Sequence, residues 1–172
     1  MRRTAGILLV LLGALRADEA PSWEPFTVLS ENSRAQAEVK ANSKGGYTLA
    51  VKTRTGRKWT TQWKSVYAYD GYPGGLVANS GKHFVYYNEW WSKDGPVLMV
   101  YTLGKKREYP GRLFVDREES LETTASHRLW LSQSQRPRIL VRNGRDILAL
   151  TTIDNRVLET DLKGTLPPRK IP

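Results

Sequence analysis

From residue 35 onward, apolar and polar side chains alternate with a period of two. Ala35, Ala37 and Val39 alternate with Gln36, Glu38 and Lys40; Tyr47, Leu49 and Val51 alternate with Thr48, Ala50 and Lys52; Trp59, Thr61 and Trp63 alternate with Lys58, Thr60 and Gln62. Neighbouring side chains of a strand point to opposite faces, so each run predicts a half-buried strand. Runs rich in β-branched and aromatic residues predict further strands at 83–87, 96–103, 112–115, 129–132, 139–141, 147–152 and 156–162. Turn chemistry separates them at Ser43-Lys44-Gly45-Gly46, Thr55-Gly56, Asp70-Gly71, Asn79-Ser80-Gly81, Asp94-Gly95, Leu103-Gly104, Asn143-Gly144 and Asp154-Asn155. Gly and Asn accept the positive φ that tight hairpins need. No window of helical length keeps a 3.6 period. The best helix candidate, 117–125, carries Glu118, Glu119 and Glu122 but has a poor apolar face and Thr123-Thr124, so it reads as a polar loop.

The expected fold is therefore all-β: a single antiparallel domain over 25–163, built as a propeller-blade-like meander or a sandwich. A tail at 164–172 holds Pro167, Pro168 and Pro172 and should run extended. Three stretches place an Asn/Gly turn ahead of an apolar strand, before Tyr47, His83 and Ile147, at spacings too irregular for a strict blade repeat.

Asn79-Ser80-Gly81-Lys82-His83-Phe84-Val85-Tyr86-Tyr87-Asn88-Glu89-Trp90-Trp91-Ser92, followed by Pro96-Val97-Leu98-Met99-Val100-Tyr101 and Gly104-Lys105, resembles exported bacterial proteins with blade-like β repeats. In these a turn leads to a strand ending in an Asn-x-Trp element, and a Gly-bearing loop leads to a second strand closed by a Gly-Lys turn. The resemblance is close over residues 79–105 and departs at the short basic loop Ser92-Lys93-Asp94-Gly95. It implies architecture and export, and carries over no catalytic residue.

The N-terminus supplies an address. Arg2 and Arg3 precede an apolar stretch from Ile7 to Leu15, with small residues at Ala17 and Ala20, the layout of a secretory signal peptide. Nine helical residues rise only about 14 Å against a hydrocarbon core of roughly 30 Å, too short for a permanent anchor. Cleavage after Ala17 is expected, leaving an extended leader at 18–24, no transmembrane anchor and a secreted or periplasmic chain. Removal of Arg2, Arg3 and Arg16 would lower the net charge from +10 to +7.

Composition narrows the chemistry. Cys is absent, which excludes disulfides, thiolate metal sites and a cysteine nucleophile. His83 and His127 are the only side chains of a type that could act as neutral-pH bases; neither falls in a metal-ligand spacing, and there is no Gly-x-Ser-x-Gly elbow. The sequence assigns no cofactor, no metal and no catalytic residue. His83, at a strand start beside a turn, reads as solvated. The basic excess is dispersed over several turns and lacks any helix-turn-helix, zinc-finger or RNP signature, which argues against nucleic acid.

The densest aromatic cluster is Phe84, Tyr86, Tyr87, Trp90 and Trp91. On a strand, Phe84 and Tyr86 share one face and Val85 and Tyr87 the other, so one face must enter the core. Trp90 and Trp91 fall past the strand end, where adjacent indoles cannot both point inward. Tyr86, Asn88, Trp90 and Trp91 are thus the candidate ligand-binding residues, combining stacking area with directional hydrogen bonds. The competing reading is structural, with the indoles serving as core cap and surface cover. The expected function is an exported, non-catalytic binding or structural module of the cell envelope, with a polysaccharide or envelope protein as partner. The alternative is a secreted carbohydrate hydrolase pairing Glu89 with Asp94 or Asp70.

Overall fold

A computed structural model describes residues 24–68, 73–124 and 127–164, and the backbone of a last strand at 169–171. The expected signal peptide at 1–17, the leader up to residue 23, Asp70 and residues 165–168 of the expected tail lie outside the described residues. The strands are β1 (Phe26–Leu29), β2 (Ala35–Ala41), β3 (Tyr47–Thr55), β4 (Lys58–Tyr67), β5 (Leu76–Val77), β6 (Phe84–Tyr87), β7 (Pro96–Thr102), β8 (Lys105–Pro110), β9 (Glu122–Thr123), β10 (Arg128–Leu129), β11 (Arg138–Arg142), β12 (Arg145–Thr151), β13 (Val157–Asp161) and β14 (Arg169–Ile171). Every pairing is antiparallel. Three four-stranded meanders result, β1–β4, β5–β8 and β11–β14, with β9 and β10 forming a small ribbon between the second and third. Four-stranded meanders of this kind are the unit of a propeller blade. Their first strands meet, with β5 lying against β1, β2 and β11.

The middle sheet buries both faces. Phe84, Tyr86, Met99 and Tyr101 pack against Ala37, Val39, Leu49, Val51, Trp63 and Tyr67 of the first sheet. Val85, Leu98, Val100 and Tyr109 pack with Trp130, Leu148, Leu150 and Leu158 on the other side. Sequence alternation alone asks for one buried face of 84–87; here the outward residues of one face are covered by a whole second sheet. The far faces of the two outer sheets carry ion pairs among exposed apolar residues such as Val66 and Val157. Lys52 and Lys40 bind Glu38 at 2.7 and 2.5 Å on the first, while Arg142–Glu159 at 2.5 Å and Arg145–Asp161 at 3.2 Å cross strands on the third.

Local chemistry explains the turns and the departures. Asn143 (φ 51°) and Gly144 (φ 70°) join β11 to β12 across the Arg142–Arg145 pair, the two positive φ values of a two-residue hairpin turn. Residues 112–115 do not form the expected strand. A 3₁₀ turn, Gly111–Leu113, follows Pro110, with the Phe114 N–H donating to the Gly111 carbonyl at 2.8 Å, and Phe114 and Val115 enter the core beside Trp130. Gly111 is seated under Ser92 and the Trp91 indole, where a Cβ has no room. Of the stretch weighed as a helix, the described residues 117–124 hold a 3₁₀ turn, Glu118–Ser120, and the start of the small ribbon. No helix among the described residues is long and apolar enough to cross a membrane.

Candidate functional site

In the middle sheet, the β5–β6 and β7–β8 turns fall at one end and the β6–β7 loop at the other. A cavity sits at each end.

At the β6–β7 end, a cavity of about 210 Å³ is lined by Pro73, Gly74, Gly75, Tyr86, Tyr87, Asn88, Glu89 and Trp90. Three of the four sequence-selected residues therefore come together. Tyr86 contributes from within the core, at 2% exposure, its ring edge-on to Tyr67 at 6.2 Å. Asn88 is a scaffold: its Oδ1 accepts from the Trp90 N–H at 3.0 Å, and its carbonyl accepts from Trp130 Nε1 at 2.6 Å. Trp90 bridges Leu129 and tilts over His127 at 4.6 Å between ring centres. Trp91 leaves the cavity; its N–H donates to the Arg128 carbonyl and its ring packs on the core and over Gly111. The two indoles thus occupy different environments, as the alternation of neighbouring side chains demands. Gly75, at φ 129°, cannot carry a Cβ because Phe84 and the Val85 carbonyl would lie 2.6 Å from it. Burial, followed by the charge of Glu89, pushes the Tyr87 hydroxyl above its ordinary pKa. Of the partners weighed for Glu89 as a hydrolase acid, Asp94 is largely exposed and paired with Arg112 at 3.0 Å.

The larger cavity, about 640 Å³, lies at the opposite end, where all three sheets converge. Gln62 and Trp63 of β4 form one wall, the turn Ser80–His83 the floor, and the β7–β8 hairpin another wall, with Leu162 and Lys163 closing the side after β13. Sequence reasoning missed this site because its residues come from four separated stretches, none of which is unusual alone.

The floor is built around a buried acid–base pair. His83, expected to be solvated, is 4% exposed, and its Nδ1 lies 2.7 Å from Asp146 Oδ2 of the third sheet. Ser80 Oγ donates to the same oxygen at 2.7 Å. Burial pushes the Asp146 carboxyl up, but the hydrogen bonds from His83 and Ser80, with the charges of His83 and Lys82, outweigh it and hold the group below its ordinary value. Serine and histidine both address the carboxylate, so the serine hydroxyl is not presented to an imidazole base as nucleophilic catalysis requires. The turn also grips the first sheet: Trp63 Nε1 donates to the Gly81 carbonyl at 2.8 Å, and Asn79 Oδ1 accepts from the Asn32 N–H at 3.1 Å. Arg107 donates through one terminal nitrogen to the Leu162 carbonyl, tying the second sheet to the third. No cluster of three His, Cys, Asp or Glu that could hold a metal ion occurs among the described residues. No protein-family model, curated protein or solved structure matches the chain.

Proposed function

We propose that the protein is an exported, non-catalytic binding module of the cell envelope that takes a segment of an envelope polymer into the cleft where its three sheets converge. The observation that carries this reading is the cleft itself. At about 640 Å³ it falls within the size of ordinary ligand sites, and its wall mixes apolar groups (Trp63, Leu103, Leu162) with polar and basic ones. The acid–base pair beneath it is engaged in joining sheets, so the groups facing a ligand bind and orient it. The smaller cavity beside Trp90 is below the usual ligand size and serves as a secondary contact.

Co-sedimentation with peptidoglycan that retains its attached anionic polymers and with a neutral glucan tests this. Gln62 is exposed on an edge strand and lines the mouth, so Gln62→Trp fills the cleft without entering the core. The wild-type chain should sediment with one of these polymers, and the variant, folded by circular dichroism, should lose it. Equal sedimentation of both chains, or of neither, overturns the reading.

A further inference from the structure

The large cleft is distinguished by its charge. Lys82, Lys105 and Lys163 line it from three separate segments, with Arg107 beside them, and among the described residues no carboxylate lines it. Lys82, Lys105 and Lys163 are exposed and, among the described residues, none is engaged in an ion pair. Elsewhere on the surface Lys40, Lys52, Lys93 and Lys106 have carboxylate partners while Lys44, Lys58 and Lys64 have none among the described residues, so what sets the cleft apart is the convergence of three such lysines on one concavity. Lys82, Lys105, Lys163 and Arg107 around one concavity outnumber the one carboxylate described beneath its floor, Asp146, which His83 and Ser80 already engage, so the local potential is positive and draws anions into it.

A second, independent feature points the same way. The His83 side chain is 5% exposed yet faces this cleft. Asp146 occupies its Nδ1, so Nε2 is the ring nitrogen available to a ligand.

Resting on the binding reading above, we infer that the ligand's anchoring group is a phosphate ester carried on a polyhydroxyl body. A phosphate presents three acceptor oxygens and up to two charges, enough to engage several ammonium groups at once. A carboxylate is matched best by a free arginine fork, and the one arginine among the described lining residues has a terminal nitrogen turned to the Leu162 carbonyl. Lysines, as point charges on long stems, suit phosphate without that geometry. Gln62 and Thr102 supply hydrogen-bonding groups for hydroxyls, and the exposed Leu103 covers the carbon skeleton.

Titration of the full chain by calorimetry with glucose 6-phosphate, glycerol 3-phosphate, glucuronate, glucose and inorganic phosphate tests this. The phosphate esters should bind, at least about tenfold more tightly than glucose or glucuronate, and weaken as salt rises. Lys82→Glu and Lys163→Glu should each lower the affinity about tenfold, while Lys44→Glu, at an exposed turn outside the cleft, should leave it unchanged. Glucuronate equal to the esters would overturn the choice of phosphate, and inorganic phosphate equal to the esters would overturn the polyhydroxyl body. Unchanged affinity in the Lys82→Glu/Lys163→Glu double variant would place the anion elsewhere and refute the inference. If the esters fail while a polymer still sediments in a Gln62-dependent way, the phosphate inference falls and the binding reading stands; if both fail, both fall.

Discussion

Replacing Asp146 with Ala removes the one acceptor shared by His83 and Ser80, and the two donors suffer unequally. His83 is 4% exposed and cannot exchange its lost partner for water, so its hydrogen bond to a charged group is worth about 1.5–3 kcal/mol. Ser80 is exposed, and its hydroxyl rehydrates, so its share is below about 1 kcal/mol. The expected loss is therefore about 2–4 kcal/mol, a fall in Tm of roughly 4–16 °C for a chain of this size. Asp146→Asn keeps an acceptor oxygen and should lose less. Urea unfolding of wild type, both variants, His83→Ala and the His83→Ala/Asp146→Ala double variant measures the coupling, expected above about 1 kcal/mol. The pH dependence has a fixed sign. Because the folded Asp146 titrates below its ordinary value of 3.8, its stabilisation is fully present above that pH and is lost as pH falls through the folded value. The gap between wild type and Asp146→Asn should accordingly narrow below about pH 4. An Asp146→Ala variant within about 0.5 kcal/mol of wild type, or strict additivity in the cycle, would refute the assignment of this pair as the joint between the second and third sheets.

Gly81 has φ 67° and faces the Thr53 methyl of the first sheet, so Gly81→Ala should cost about 1–3 kcal/mol, and adding Thr53→Ser should recover only the steric part. Stability of the single and double variants separates the two contributions. Trp91→Ala should destabilise the fold by about 2–3 kcal/mol, since its half-buried ring packs on the core and over Gly111; a folded, equally stable variant would return Trp91 to the list of surface ligands. Intact-mass measurement of the exported chain should give an N-terminus at Asp18, and an uncleaved product would remove the proposed export.

Much of the fold was written in the alternation of residues 35–63 and of the runs around 84–87, 96–102, 139–151 and 157–161. What escaped notice has physical causes. β8 is an edge strand reading Lys-Lys-Arg-Glu-Tyr-Pro, with only Tyr109 buried, so no hydrophobic period marks it. β5 has two residues, and β1 alternates half-buried with exposed positions. The apolar run at 112–115 is buried by a 3₁₀ turn, because burial can be achieved without strand pairing. The meanders begin at residues 26, 76 and 138, and the ribbon between the last two breaks any regular spacing. The Asn79 and Asn143 turns are equivalent, each joining the first and second strands of a meander, whereas the Asn42 turn joins the second and third. That Tyr86, Asn88 and Trp90 come together around the smaller cavity was legible, because they lie within five residues of one another. The larger cleft was not, since the bond from His83 to Asp146 spans 63 residues and only the folded chain brings them together.

The charged outer faces set a limit on growth. Adding another sheet by the same stacking that joins the existing three would bring an apolar layer against Glu38 with Lys40 and Lys52, or against the Arg142–Glu159 and Arg145–Asp161 pairs. Stripping water from such pairs costs several kcal/mol per ion before any packing gain is counted. A chain whose building block could in principle repeat without end therefore carries its own terminators on both flanks, and crowding it at high concentration should not lengthen the stack.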